Sequence, residues 1–531
     1  MKKLISLLLV LIMGLSLIAC GKKDAKTAIE PTTTPTPTTT IANPTSTEDA
    51  GPYAGYDVSN PVTIEMYVLG DAPVDLDVVL EEVNTKYLQP TLNSTLKVNF
   101  LSWADWTTKY PLVLAGGDPV DLMFTSSWAF YPQESSKGAF RELTMDWIEQ
   151  WMPQTFVSQV PASWDQISLD GKIFAVPRNA AGLEYKNLVM VRGDLREKYG
   201  LPEISSWDTF KQYLYTIAEK DTTEAYAAAG AANEMFYLWK ANKMAMEVAN
   251  GFDFQFIHNN SNAAPKPEDI YYWPTSDMYK EFVLEMADFA KHNVWSKNAI
   301  NNSVALQDSF VQGTSASLIW NNNMFKYGKM LEDSGIGTYE AYDVTPNVNF
   351  TRSPYSGDAM AIASNSKNPE RAALVLDYIK NEPALNLLMI GGIEGKHYTL
   401  NEAGLRAAGP DAANYNFDAY GWAFRTETIP KASDLDPREV AFTESVQDNI
   451  FATPIDGFTF NAVPVQTELA LLNSLVGEYN SAFQLGLFGD DTEATIEEFR
   501  SKIKETGALE VVQAELLKQY EAYCVKKGIS F

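Results

Sequence analysis

Val62-Thr-Ile-Glu-Met-Tyr-Val-Leu69 reads as a strand closed by Gly70-Asp71. Beyond it, Val74 to Tyr87 has helical spacing through Leu76, Val79, Leu80, Val83 and Tyr87, and Leu96-Lys-Val-Asn-Phe-Leu101 alternates as a strand does. Trp106 to Leu114 returns to a helical pattern, and Asp121-Leu-Met-Phe124 is a short apolar strand after Gly116-Gly117. Strand, helix, strand, helix, strand at this spacing predicts an α/β lobe with a mostly parallel sheet, because parallel neighbours need a crossover long enough to hold a helix.

Outward from this stretch the pattern recurs. A second α/β lobe begins near Leu188-Val-Met-Val191, and Ser206-Trp-Asp-Thr-Phe210 opens a helix with serine in capping position and an acid in the first turn. Helical patterns follow at 234–250 and 277–291, Ala316-Ser-Leu-Ile-Trp320 is strand-like, and Asp358-Ala-Met-Ala-Ile-Ala363 is a buried strand. Asn368-Pro369-Glu370 starts a helix with proline at its first position. The last part of the chain is mainly helical, with 3.6 spacing at 465–485 and 495–525. The 531 residues exceed what a single core fills, roughly 250–300 residues, so two lobes are expected.

The N-terminus supplies an address. Lys2 and Lys3 precede a 15-residue apolar run from Leu4 to Ile18. A basic head, a run shorter than the roughly 20 residues of a spanning helix and small residues at its end make a secretory signal, assigned to 1–19. Leu17-Ile18-Ala19-Cys20 resembles the lipobox of bacterial lipoproteins, which implies cleavage before Cys20 and lipid on its sulfur. Residues 20–56 then read as a tether: Pro31-Thr-Thr-Thr-Pro-Thr-Pro-Thr-Thr-Thr has almost nothing to bury and favours extended chain. At ~3.1 Å per residue, about 30 residues reach roughly 90 Å.

Composition narrows the partners. With 41 basic and 68 acidic side chains the net charge is −27, a field that repels phosphate backbones and anionic lipid headgroups and argues against nucleic-acid binding. Of two cysteines, Cys20 is assigned to lipid, which leaves Cys524 without an intramolecular partner. His258, His292 and His397 are scattered with no metal-ligand spacing, so neither metal nor cofactor is expected.

Several short motifs carry a resemblance. Ala115-Gly-Gly-Asp-Pro-Val-Asp121-Leu-Met-Phe124, Gly138-Ala-Phe-Arg-Glu-Leu143, Asp170-Gly-Lys-Ile-Phe-Ala-Val-Pro177, Phe310-Val-Gln-Gly-Thr-Ser-Ala316 and Ser366-Lys-Asn-Pro-Glu-Arg-Ala372 occur in the order of the signatures of family 1 extracellular solute-binding proteins. The chain thus resembles the maltose-binding-protein-like receptors of ABC importers. Gly391-Gly-Ile-Glu-Gly-Lys-His-Tyr398, Pro464-Val-Gln-Thr-Glu468 and Leu485-Gly-Leu-Phe-Gly-Asp490 further resemble a Gram-positive lipoprotein subgroup with an uncharacterised C-terminal extension, Gly391 standing where tyrosine is usual.

The resemblance implies the two-lobed type II periplasmic-binding-protein fold: mostly parallel sheets, flanking helices, a hinge, and a helical C-terminal extension. Residues 57–180 and 357–440 would form lobe I, and 181–356 with 441–531 lobe II. It implies a monomeric, lipid-anchored receptor on the extracellular face of the membrane, binding a carbohydrate between the lobes and presenting it to permease subunits.

Sugars present apolar C–H faces and hydroxyl rims, so their receptors combine aromatic plates with nearby polar groups. On that basis the candidate ligand contacts are Ser127, Trp128, Tyr131, Arg178, Asn179, Glu234, Phe236, Trp239, Trp320, Asn322, Asn323, Tyr355, Asp358 and Phe458. They are matched to the family by segment rather than by residue. Asp121 reads as a structural cap, and Glu394 with His397 as a structural turn rather than an acid–base pair. Trp147 and Trp207 fit packing or helix starts. Two alternatives stay open: a surface glycosidase with paired carboxylates such as Glu184 and Glu234, and a peptide receptor.

Overall fold

The computed structural model describes residues 51–531 except 118, 180–181, 185–186, 244, 249–255, 260–262, 322, 346–349, 354, 416–420, 427, 448–449, 452–454, 456–457 and 531. The expected signal, Cys20 and most of the tether lie outside the described residues. The expected tether boundary at 56 is too late: Tyr53 is buried and donates its hydroxyl to Asp377 Oδ2 at 3.0 Å, so the packed chain already includes it.

β1 (Val62–Leu69) buries Ile64, Met66 and Val68, and β2 (Ser94–Leu101) pairs with it in parallel from Val62↔Ser94 to Leu69↔Leu101. Between them a helix over Leu76–Glu82 continues through wider turns and ends at Asn93 in the left-handed region, φ +45°. β3 (Leu122–Thr125) pairs in parallel on the other side of β1, and β4 (Ala175–Pro177) follows a helical stretch. The chain then leaves through β5 (Gly182–Glu184) and enters β6 (Leu188–Arg192), buried along its whole length.

β7 (Ala245–Glu247), β8 (Phe256–Asn259) and β9 (Tyr271–Tyr272) form a small antiparallel sheet. β10 (Ser317–Trp320) and β11 (Tyr339–Tyr342) flank β6. The return runs through β12 (Phe350–Ser353), paired antiparallel with β5, to β13 (Ala359–Ile362), which inserts between β3 and β4. β14 (Tyr398–Leu400) and β15 (Arg406–Ala408) form a hairpin, and β16 (Ile450–Phe451) adds to β12 in parallel.

Each of the two hydrophobic cores is built on one sheet, ordered β2-β1-β3-β13-β4 and β10-β6-β11. The expectation of mostly parallel sheets needs correction. Short helical crossovers make β2-β1-β3 parallel, but β13 enters that sheet antiparallel, and β6 is antiparallel to both neighbours. β10 returns only after the long excursion from 193 to 316, so no short crossover dictates its direction.

Helix ends follow local chemistry. Ser206 caps Trp207–Lys220 through Thr209, and Ser276 accepts from Tyr279 N to open Asp277–Lys291, the span its periodicity predicts. The pattern at 234–250 yields a helix only over Asn233–Asn242, because β7 pairing takes over the rest. The pattern at 495–525 is two helices, Thr492–Thr506 and Ala508–Lys527, broken at Gly507, whose φ of +64° is a left-handed conformation that glycine adopts without strain.

These helices and Gln466–Gln484 bury Leu472, Phe483, Ile496, Phe499, Val512, Leu516 and Tyr520 in the second core. The helix Pro437–Gln447 also sits on that core, with Phe442 against Phe325 at 5.7 Å. Tyr339 of β11 donates its hydroxyl to Asp436, so the chain meets the second core by 436, earlier than the expected boundary at 440.

Candidate functional site

The carboxyl ends of β2 and β3 are where an open α/β sheet offers room for a ligand. Trp103 and Trp106 follow β2, Trp128 and Phe130 follow β3, and Trp422 arrives from the turn Gly421–Phe424. Trp103 and Trp128 lie near-parallel at 6.4 Å, and Trp422 stands 6.2 Å from each. Trp106 meets Trp128 edge-on at 5.9 Å, and Phe124 supports Trp128 from the core at 5.9 Å. Trp103 is 43 % exposed and the other three tryptophans are half-buried. The result is an aromatic platform with accessible apolar area and polar N–H edges.

Its orientation is fixed from below. Trp128 Nε1 donates to Gly357 O at 2.8 Å, Ser126 Oγ donates to the same oxygen at 2.6 Å, and Ser127 N donates to Ser356 O at 2.9 Å. The Trp422 turn is held by Lys380 Nζ, which donates to Pro177 O at 2.6 Å and reaches Ala423 O at 3.5 Å, and by Asn386 Nδ2 on Phe424 O at 2.7 Å. Burial pushes the Lys380 ammonium down to about 7. Beside the platform Arg178 pairs with Asp358, and Arg178 N donates to Asp358 O at 2.9 Å. Burial raises the Asp358 carboxyl to about 6, against the opposing pull of Arg178 and Arg425.

The second core presents a smaller, polar group. Trp320 ends β10 opposite Leu188, so Asn187 lies at the adjoining strand start. Asn187 Nδ2 donates to Glu234 Oε2 at 2.6 Å. Glu234 stands in the first turn of Asn233–Asn242, where the helix dipole favours an anion. Burial nevertheless raises its carboxyl to about 7, with the Asn187 hydrogen bond opposing the shift. Asn321 Oδ1 accepts from Asn323 N at 3.0 Å, which shapes the turn after Trp320. Arg178 and Asn187 bracket the same crossing between the cores, and Asp358 ends the other.

Several candidates belong elsewhere. Tyr131 is 1 % exposed, donating to Ile167 O at 2.6 Å and accepting from Phe174 N at 3.2 Å; it is a core strut. Trp239 is equally buried and donates to Glu285 Oε2 at 2.6 Å, Phe236 packs on Phe282 at 5.2 Å, and Phe458 packs on Tyr520 at 5.5 Å. All four are core side chains; an aromatic beside polar neighbours looks the same in sequence whether it faces a core or a ligand. Asn179 accepts from Val160 N at 3.0 Å and donates to Ser158 O at 2.9 Å, so its amide fixes a loop. Tyr355 is half-buried with its N–H on Gln166 Oε1 at 2.7 Å, while Asn322 and the side chain of Glu184 lie outside the described residues.

The structural readings of Asp121 and His397 hold. Asp121 accepts from Glu65 N at 3.0 Å and from Ser366 Oγ at 2.5 Å. His397 Nδ1 accepts from Ile393 N at 2.9 Å and Nε2 meets Asp75 Oδ2 at 3.0 Å. A Cβ on Gly392 would stand 2.4 Å from that Nδ1, so glycine is required there. Sequence reasoning missed Trp103, Trp106, Trp422 and Asn187; the position of Trp103 and Trp106 just past a predicted strand end was the one signal available.

The family profile of the bacterial extracellular solute-binding proteins matches residues 92–385. The chain belongs to that family. A second profile, a domain of unknown function (DUF3502), matches residues 454–525 of this solute-binding protein. A carbohydrate ABC transporter substrate-binding protein of Streptococcus pneumoniae serotype 4 is 24 % identical over 473 residues, covering 87 % of this chain and 91 % of the relative. The crystal structure of the N-glycan transport solute-binding protein of Streptococcus pneumoniae superposes with a TM-score of 0.70 at 20 % identity, over 88 % of this chain and all of that one. The alginate-binding protein AlgQ2 follows at 0.65 and 15 % identity, over 87 % of this chain and 98 % of that one.

These likenesses establish the two-lobed type II fold of an extracellular solute-binding protein. Among the described residues no group of three or more acidic, histidine or cysteine side chains is placed to hold a metal, and no helix is long and apolar enough to cross a membrane.

Proposed function

We propose that this solute-binding protein is the receptor of an ABC importer for an oligosaccharide. The tryptophan platform of Trp103, Trp106, Trp128 and Trp422 carries the reading, since stacked, half-exposed indoles offer apolar faces to pyranose rings. Glu234, Asn187 and Trp320 on the second lobe then hydrogen-bond and cover the exposed side of the ligand. The crossings at 178–187 and 343–358, paired through β5 and β12, act as the hinge on which the lobes close. The carbohydrate transport protein and the N-glycan and alginate binders among the similar proteins support this ligand class.

Cys20 carries the lipid in this reading, and the Thr/Pro tether holds a monomeric receptor near its permease on the extracellular face of a Gram-positive membrane. Tethering raises effective concentration, so a modest affinity for the permease suffices.

The test is a thermal-shift and calorimetric screen of the purified chain against glycans, including Man5GlcNAc, alginate oligomers and plant and fungal oligosaccharides, with peptides alongside. A glycan that raises the melting temperature without product formation is the expected result, because a ligand of the folded state alone stabilises it. Cleavage of the glycan that is lost in Glu234→Gln would replace the receptor with a hydrolase. Shifts with peptides and none with glycans would replace the ligand class.

A further inference from the structure

The C-terminal extension makes a buried polar contact with the segment that leads to Glu234. Gln484 closes the helix Gln466–Gln484, is buried, and turns its Oε1 to accept from Ala232 N at 3.0 Å, while its Nε2 donates to Asn480 Oδ1 at 3.1 Å. Ala232 is the residue before Asn233–Asn242, the helix that carries Glu234. Its methyl side chain can accept nothing from the helix start, where N–H groups lack partners within the helix. Gln484 does not cap those N–H groups; it accepts from the residue ahead of them, so the extension fixes the chain's entry into this helix.

The surrounding segment is held from two sides. Tyr226 N donates to Val294 O at 3.0 Å, Gly230 N to Ala299 O at 2.8 Å, and Asn302 Nδ2 to Ala228 O at 2.9 Å, which fastens 226–230 to the loop 294–302. That loop is fastened in turn to the extension: Trp295 Nε1 donates to Leu485 O at 3.0 Å. The next residue, Gly486, has φ +61° and approaches Met286 so closely that a Cβ would lie 2.4 Å from its carbonyl oxygen. The turn at 484–486 therefore seats its backbone against the helix Asp277–Lys291 and bonds both to Ala232 and to the loop that holds 226–230.

We propose that the turn Gln484-Leu485-Gly486 makes the C-terminal extension a positioning element of the binding site, with Gln484 fixing the start of the helix that presents Glu234 to the ligand. This rests on the reading of Glu234 as a ligand contact. Gln484 itself is a positioning residue.

Two variants of the intact chain separate positioning from plain stabilisation. Gln484→Met keeps the volume and removes the acceptor, leaving a buried N–H unpaired. Val512→Ala truncates a core side chain of the same extension away from the turn. Each is measured by amide hydrogen exchange over 226–236 and by titration with Man5GlcNAc well below its melting temperature. In Gln484→Met, exchange over 226–236 rises and affinity falls, each about tenfold. In Val512→Ala the melting temperature falls while both local readouts stay as in the parent.

Unchanged exchange in Gln484→Met, or a rise no different from that in Val512→Ala, overturns the proposal. So does a local rise with parent-like affinity in a protein that binds the glycan. If the parent binds neither Man5GlcNAc nor any glycan of the screen, the receptor reading fails, and exchange over 226–236 alone decides the role of Gln484.

Discussion

The two half-sites are built on different physics. The first-lobe platform is almost all indole, assembled from the ends of two parallel strands and a distant turn, and braced by backbone carbonyls through Trp128 Nε1 and Lys380. The second-lobe group has one indole, Trp320, beside a carboxyl–amide pair whose acid burial raises to about 7. In the proposed site one half offers apolar faces, braced by Lys380 and Asp358, whose values burial moves to about 7 and about 6; the other offers a hydrogen-bond group whose carboxyl burial raises to about 7. On the proposed reading, stacking would hold a sugar on the first lobe and the polar group would add orientation from the second.

The comparison breaks most readily at the platform. Trp128→Ala should cost about 2 kcal/mol of binding, or roughly 30-fold in Kd, the scale of a central tryptophan anchor, with no change in the pH profile. Calorimetry at pH 6 and pH 8 checks both parts.

Glu234→Gln comes next. It should weaken binding roughly 13-fold at pH 8, the about 1.5 kcal/mol at the low end for one hydrogen bond to a charged group. Parent affinity should rise with pH through about 7 as the carboxylate forms and accepts from sugar hydroxyls. The variant should lose the part of that rise which Glu234 supplies.

Stability should move the other way. Burial raises the folded-state value of Glu234 from its ordinary 4.5 to about 7, so its contribution is full below 4.5 and lost as pH rises through 7. Ligand-free Glu234→Gln should therefore gain on the parent between pH 5 and pH 8, on the order of 2 kcal/mol, seen in denaturant unfolding. A constant gap across that range would remove Glu234 from the titrating role.

The smallest effect is expected at Tyr131→Phe. Losing the hydroxyl from Ile167 O should cost about 1 kcal/mol of stability and leave glycan affinity untouched. A fall in affinity would restore Tyr131 to the binding surface.

The fold was legible where the hydrophobic period was long or the crossovers short. Val62–Leu69 with its neighbours predicted the first sheet, and Asp277–Lys291 appeared at its periodic span. The second sheet was not legible in its strand directions, because a return as long as 193–316 leaves no local rule for direction. Of the candidate contacts, Trp128 and Trp320 lie at strand ends and Arg178 with Asp358 at the crossings, while Glu234 stands in the first turn of a helix. Trp422 escaped because its contact with Trp103 joins residues far apart in sequence. Tyr131 and Trp239 misled because burial depends on partners such as Ile167 O and Glu285, which no local pattern reveals.

The most direct measurement is a crystal structure of the chain with an oligosaccharide that raises its melting temperature. The account predicts sugar rings stacked on Trp103, Trp128 or Trp422, with hydroxyls within hydrogen-bond distance of Glu234 and Asn187 of the opposite lobe. A ligand that touches only one core, or lies away from the tryptophan platform, would contradict it.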